Sequence, residues 1–345
     1  MDNLNDIPFS ILDLAPVVEG STPTQAFKNM VALAGHAEAL GYKRYWLAEH
    51  HNMPGVASSA TAVLIAHVAN HTKTIRVGSG GIMLPNHSPL VIAEQFGTLE
   101  SIFSGRIDLG LGRAPGTDPM TSRALRRDSG VSARDFPELV AELAMYLSNS
   151  DSAVKAHPGA GTNVPLWLLA SSTYSATLAA ELGLPFAFAS HFAPDELDHA
   201  ISVYRRHFRP SLTLAKPYVM VGVPLIAADS DREAQRQATS TYQKFLALVR
   251  GKPGQLKPPV DNMTEVWSEF EAQSVRSRLA IAIIGGAETC KAKLTALLER
   301  TGADEFIFVS DFYDFKDRLK SFEILASLKN SRGQNAVLKG AELSV

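Results

Sequence analysis

Two histidines beside a carboxylate, Glu49-His50-His51, follow the short apolar run Arg44–Leu47. A cluster of this kind can bind a metal ion or move protons. Neighbouring positions on an extended segment point to opposite sides, so His50 and His51 are poorly placed to share one ion. The first apolar run, Phe9–Leu14, has no His-x-His that would complete a tetrahedral set, and no metal site is expected. A histidine at this place could instead give or take a proton near neutral pH, with Glu49 fixing its orientation. A loop histidine bonded only to backbone is the alternative, and the spacing leaves both open.

The third run, Ile75–Ser79, leads into Gly80-Gly81-Ile82-Met83-Leu84-Pro85. Glycines at a strand end let backbone approach a flat ligand closely, although a glycine-rich corner would look the same. The fourth run, Ile107–Leu111, leads into Gly112-Arg113-Ala114-Pro115-Gly116, which lacks the Gly-Lys-Ser/Thr of a phosphate loop and the spacing of a dinucleotide fingerprint. After the fifth run, Leu166–Leu169, comes Ala170-Ser171-Ser172-Thr173 and then a helical pattern. Hydroxyls and free amides at a helix N-terminus suit a phosphate, and an ordinary N-cap has the same letters.

These segments need elements to hold them in register. Apolar runs recur at Phe9–Leu14, Arg44–Leu47, Ile75–Ser79, Ile107–Leu111, Leu166–Leu169, Pro185–Ala189, Tyr218–Ile226 and Glu305–Val309, each followed by a longer helical pattern. Eight near-continuous apolar runs alternating with helices predict a (β/α)8 TIM barrel, one domain over residues 1–345. Gly41, Gly105, Gly183 and Gly302 stand where a left-handed residue ends a helix. Two insertions break the rhythm. Residues 113–134, after the fourth run, are polar and Arg-rich. Residues 250–278, after the seventh, carry Gly251, Pro253, Gly254, Pro258 and Pro259 before a short helix; this segment is a candidate lid over the catalytic face.

Composition narrows the class of function. Thirty-three basic and 35 acidic residues give a net charge of -2 with no basic stripe, so nucleic acid is not an expected partner. No apolar run approaches the roughly 20 residues that span a bilayer, and the start of the chain lacks a basic region before its first apolar run. Cys290 is the single cysteine, which excludes an internal disulfide. A cytoplasmic protein is expected.

The ordered set WLAEHH, GSGGIMLP, GRIDLGLGR, LWLLASS and LAAELGLPFAFAS, with the opening FSILDLAP and the helix SPLVIAEQFGTLE, resembles the bacterial-luciferase-like flavin-dependent monooxygenases. The resemblance spans nearly the whole chain and is nearest the single-chain subgroup of unassigned substrate. It implies that His50 assists the chemistry of reduced flavin, with Glu49 beside it. It implies a cis peptide between Gly80 and Gly81 next to the flavin ring. Arg113 and Arg123 match arginines near the flavin phosphate, Ser171, Ser172 and Thr173 the phosphate loop, and Ser190 and His191 positions bordering the ring. Two positions depart from luciferase: Gly112 replaces a cysteine near the flavin and Ser171 replaces a glutamate in the phosphate loop. The first departure argues against light emission, and the second favours a flavin phosphate.

The function implied is oxidation of a small organic substrate by O2 with reduced FMN as co-substrate. A separate flavin reductase would be a transient partner, because no nicotinamide dinucleotide fingerprint is present. The family also implies a homodimer, consistent with the apolar segments Ser58–His71 and Leu90–Phe103. Related barrels bind the deazaflavin F420 and transfer hydride, which is the alternative reading; a non-catalytic flavin-binding protein is a third.

Overall fold

A strand with apolar side chains on both faces is stable only when both are covered, which favours a parallel sheet wrapped by helices. The computed structural model describes residues 4–114, 116–125 and 135–329, and in it the strands are β1 (Phe9–Asp13), β2 (Arg44–Leu47), β3 (Arg76–Met83), β4 (Ile107–Gly112), β5 (Leu166–Ala170), β6 (Phe186–Phe188), β7 (Val219–Ala227), β8 (Ile283–Gly285) and β9 (Glu305–Val309). All pair in parallel. β1 to β6 lie side by side in chain order, β1 also pairs with β9, β9 with β7 and β7 with β6, so the ladder closes on itself. The closed ring is the TIM barrel that the apolar runs predict.

β8 was not foreseen. It lies outside the ring, paired with the C-terminal end of β7 through Leu225 to Ala227.

The helices are α1 (Pro23–Ala39), α2 (Thr61–Asn70), α3 (Pro89–Ile102), α4 (Pro119–Leu125), α5 (Phe136–Leu147), α6 (Thr173–Leu182), α7 (Leu197–His207), α8 (Asp231–Val249), α9 (Glu269–Arg278), α10 (Ala287–Thr301) and α11 (Phe315–Ser327). Gly41, Gly105, Gly183 and Gly302 have φ of 79°, 76°, 61° and 55°, the left-handed region where a side chain is costly. Of the polar insertion 113–134, residues 115 and 126–134 lie outside the described residues; α4 occupies part of the rest.

The lower barrel interior is filled by charge as well as by aromatic rings. Trp46 and Trp167 meet edge to face at 5.2 Å, and the Arg44 guanidinium lies 4.6 Å from the Trp167 ring. Arg44 donates to Asp108 at 2.6 Å and to Glu305 at 3.0 Å, while Trp46 Nε1 donates to Asp108 at 3.1 Å. Burial works against the charge on Arg44, but the two carboxylates outweigh it and raise its pKa. The result is a rigid floor, since a buried charge is tolerated only with its partners in place.

The segment 250–278 runs over the opposite, C-terminal end. Leu256 N–H donates to Val17 C=O at 3.0 Å and Glu19 N–H to Leu256 C=O at 2.8 Å, stitching it to the loop after β1. Its helix, α9, has a complete capping box at Ser268 and Glu271 and packs Val275 against Phe245 and Leu246 of α8.

Candidate active site

The C-terminal ends of the barrel strands surround a cavity of about 340 Å³, within the range of small-molecule sites. Leu12, Trp46, Ala187 and Ile307 are among its floor residues, from β1, β2, β6 and β9. Gly80 of β3 and Gly112 at the end of β4 reach the same cavity. A Cβ on Gly80 would come within 2.6 Å of Leu12 Cδ1 and 3.2 Å of Trp46 Cβ, so only glycine leaves this wall flat. Gly81 points the other way, where a Cβ would meet Gly110 O at 2.7 Å, and the Gly80–Gly81 peptide is cis. At Gly112, one of the two positions expected to depart from luciferase, a Cβ would lie 2.8 Å from Met83 Sδ. The thioether of Met83 therefore holds the place a side chain would take there.

One end of the cavity gathers a helix N-terminus and an arginine. Ser171 and Ser172 line it, and Ser172, the N-cap of α6, makes no side-chain capping bond, so its hydroxyl and the first-turn amides are available to a ligand. Arg113 also lines the cavity and stacks over Tyr174, the second residue of α6, with its guanidinium carbon 4.2 Å from the ring centre. Thr173 begins the helix but is not among the lining residues. Arg123, on α4, is exposed and does not line the cavity; α4 buries none of its residues, so nothing draws it inward.

The other end carries two imidazoles. His50 and His191 both line the cavity, and the Nδ1 of each is buried without a hydrogen-bond partner. Burial, then the nearby Lys244 ammonium, lowers the pKa of His50 to about 4 and that of His191 to about 3. Both rings are neutral at pH 7. Gly222 makes room for His191, because a Cβ there would lie 2.9 Å from Nδ1. Ser190 does not face the cavity; its hydroxyl donates to Gly222 C=O at 2.5 Å and ties the loop after β6 to β7.

Glu49 behaves differently from the expectation that it orients His50. It is 1% exposed and accepts from His51 Nε2 at 2.9 Å, His87 Nε2 at 2.9 Å and Met83 N–H at 3.0 Å. Burial opposes its charge, but hydrogen bonds from His87 and His51 and the Met83 amide leave its pKa below the ordinary carboxylate value. The reason is parity: in an extended segment residues two apart share a side, which pairs Glu49 with His51 and turns His50 toward the cavity. Glu49 thus pins the loop after β2 to the end of β3.

Other lining residues had no signal in the sequence. Phe192 lies near both imidazoles, its ring 4.4 Å from His191 and 6.5 Å from His50, and it is half exposed. Lys244 of α8 and Asp311, after β9, form an ion pair at 2.8 Å close to both. Thr239, Ser240 and Thr241 of the same helix are buried as well. Among the described residues no cluster of His, Cys, Asp and Glu could hold a metal, and no helix is long and apolar enough to cross a membrane.

A family model described as luciferase-like monooxygenase matches residues 7–305. A luciferase-like monooxygenase of Escherichia coli (strain K12) is 52% identical over 325 residues, covering 94% of this chain and 97% of its own. The N-acetyl-S-alkylcysteine monooxygenase of Bacillus subtilis (strain 168) is 30% identical over 334 residues, covering 93% and 97%. Among solved structures, apo-MsnO8 has a TM-score of 0.84 at 34% identity, over 93% of this chain and 98% of that one. The fold alone is shared with the oxygenating constituent of 3,6-diketocamphane monooxygenase from Pseudomonas putida in complex with FMN, with a TM-score of 0.71 at 17% identity over 93% of this chain and 97% of that one. It is shared too with an F420-dependent secondary alcohol dehydrogenase in complex with an F420-acetone adduct, with a TM-score of 0.70 at 15% identity over 94% and 99%. On the breadth of the family match and the identity to full-length relatives, the chain belongs to the luciferase-like monooxygenases.

Proposed function

We propose that the protein is an FMN-dependent monooxygenase that takes reduced flavin from a separate reductase and oxidises a small organic substrate with O2. The observation that carries this reading is the convergence of Gly80, His50, His191, Arg113 and Ser172 on one cavity. The residues suit the cofactor: a flat wall without side chains at Gly80 fits a planar ring, and the free N-terminus of α6 with Arg113 fits its phosphate. When bound, reduced FMN supplies two electrons to O2, one oxygen atom passing to the substrate and the other leaving as water.

The chain's own residues do the rest. Arg113, Ser171, Ser172 and the α6 amides hold the phosphate, with Thr173 contributing its backbone N–H. Arg123, exposed on α4 and absent from the cavity lining, is left out of this set. Neutral His50 and His191 line the reacting end, where an uncharged imidazole can accept a proton or a hydrogen bond. Phe192 and the segment 250–278, acting as a lid, exclude water from that end. Glu49 serves by position, not by touching the substrate.

The test is titration of purified protein with oxidised and reduced FMN, FAD and F420, followed by oxygen consumption with reduced FMN. Preference for FMN over riboflavin and FAD, with oxygen uptake, is expected. Tighter binding of F420 selects hydride transfer instead. FMN binding with no oxidation of any substrate selects a flavin carrier.

A further inference from the structure

Beyond the main cavity lies a second, smaller chamber of about 60 Å³. It shares Leu14, His50, His191 and Phe192 with the main cavity, so it opens off that cavity at the imidazole pair. Most of its remaining wall is apolar, including Met53, Val56, Phe245 and Leu248. Lys244 and Asp311, joined at 2.8 Å, stand at its edge and turn little polar surface into the chamber itself. Both continue, with Leu248, into a recess of about 20 Å³ beneath Pro253, Gly254 and Leu256. The path therefore runs from the imidazoles, along an apolar wall, to an ammonium under the segment 250–278.

Lys244 is 19% exposed and has three N–H donors, and among the described residues it makes one hydrogen bond, to Asp311. A neutral aliphatic ligand would leave the other donors facing an apolar space, which is unfavourable. An ionised oxygen acceptor would take them in charge-assisted bonds, against repulsion from the Asp311 carboxylate alongside, and Asp311 already fixes the ammonium, so little side-chain entropy is lost on binding. His50 and His191 are neutral at pH 7 and do not compete for the charge.

We propose that this chamber is the substrate's seat and that it takes a short aliphatic carboxylate, the carboxylate on Lys244 and the chain running along Met53, Val56 and Phe245 toward the imidazole pair. The proposal deepens the monooxygenase reading and rests on it in one respect: the main cavity is left to the flavin. Lys244 sets specificity and takes no part in the redox chemistry.

Straight-chain alkanoates from butanoate to octanoate, and the matching 1-alkanols, provide the test by calorimetry and ligand-observed NMR on the full-length protein, with and without FMN. An alkanoate should bind at least about ten-fold tighter than the alkanol of equal length. Lys244→Met should erase that preference while leaving alkanol and FMN affinities near wild type. Because that variant leaves Asp311 without its partner, Lys244→Met/Asp311→Asn provides a second, charge-balanced variant with the same expectation. Phe245→Trp should shorten the longest alkanoate accepted. Equal affinity for acids and alcohols, or an acid preference that survives both Lys244 variants, overturns the proposal. Flavin absorbance in the same samples separates the two readings. FMN affinity without acid selectivity removes only the carboxylate seat; acid selectivity without FMN affinity upholds the seat and removes only the cofactor assignment.

Discussion

The Arg113 guanidinium carbon sits 4.2 Å from the centre of the Tyr174 ring, fastening the loop after β4 to the first turn of α6. A cation is thereby held beside the helix N-terminus by an aromatic face, which costs it no hydrogen-bond donor.

Arg113→Ala should therefore weaken FMN by roughly 10- to 100-fold, the worth of one charge-assisted hydrogen bond of about 1.5–3 kcal/mol. Riboflavin, without the phosphate, should bind almost unchanged. Fluorescence titration of both flavins reads the difference, and an equal loss for both would place the phosphate elsewhere.

Stability should fall in mild acid. His50 and His191 have folded pKa values of about 4 and about 3 against 6.5 for an ordinary histidine, so below pH 6.5 the unfolded chain binds more protons than the folded one. For these groups the stabilisation is complete above 6.5 and is lost as pH drops toward the folded values. His50 alone accounts for about 2 kcal/mol between pH 7.5 and 5. Urea unfolding at the two pH values, for wild type and His50→Asn, measures it. An unchanged pH dependence in the variant would show that the ring is charged or solvated.

Glu49→Gln should destabilise the fold by about 1–3 kcal/mol, since an amide cannot accept from both His51 and His87 while also holding the Met83 N–H. Its effect on flavin binding should be secondary. Denaturant midpoints with wild-type values would show that Glu49 is not the pin between the two strand ends.

Two glycine substitutions should have opposite signs. Gly110→Ala places a Cβ 2.2 Å from Ser79 O, inside the β3–β4 ladder, and should abolish folding or cost several times the ~1 kcal/mol of an ordinary substitution. Gly35→Ala, within α1 and with nothing within 4 Å, should stabilise by about 0.5–1 kcal/mol. Thermal melts of the pair decide it, and a neutral Gly110→Ala would contradict the close approach of the two strands.

Legibility in the sequence followed the range of the interactions involved. The barrel strands were readable because burial on both faces makes each a local apolar run, and the helical patterns between them were readable because a helix's caps and period are local, as in α8. β8 was not, since Ile283–Gly285 is too short to signal a strand and exists by pairing with β7. Within the site, His50, Gly80, Arg113, Ser171, Ser172 and His191 share one cavity. Glu49 was paired with the wrong neighbour, although the alternation of an extended segment would have assigned it to His51. Lys244 and Asp311 had no local mark at all, because an ion pair between α8 and the loop after β9 exists only when the ring closes.

That closure has a temporal side. Glu305, on the last strand, meets Arg44, on the second, across 261 positions of sequence. A nascent chain released only through α10 holds a guanidinium that has one acid and awaits its other, with β1 lacking a neighbour on one side. The platform beneath the cavity becomes electrically whole only when β9 takes its place in the ring.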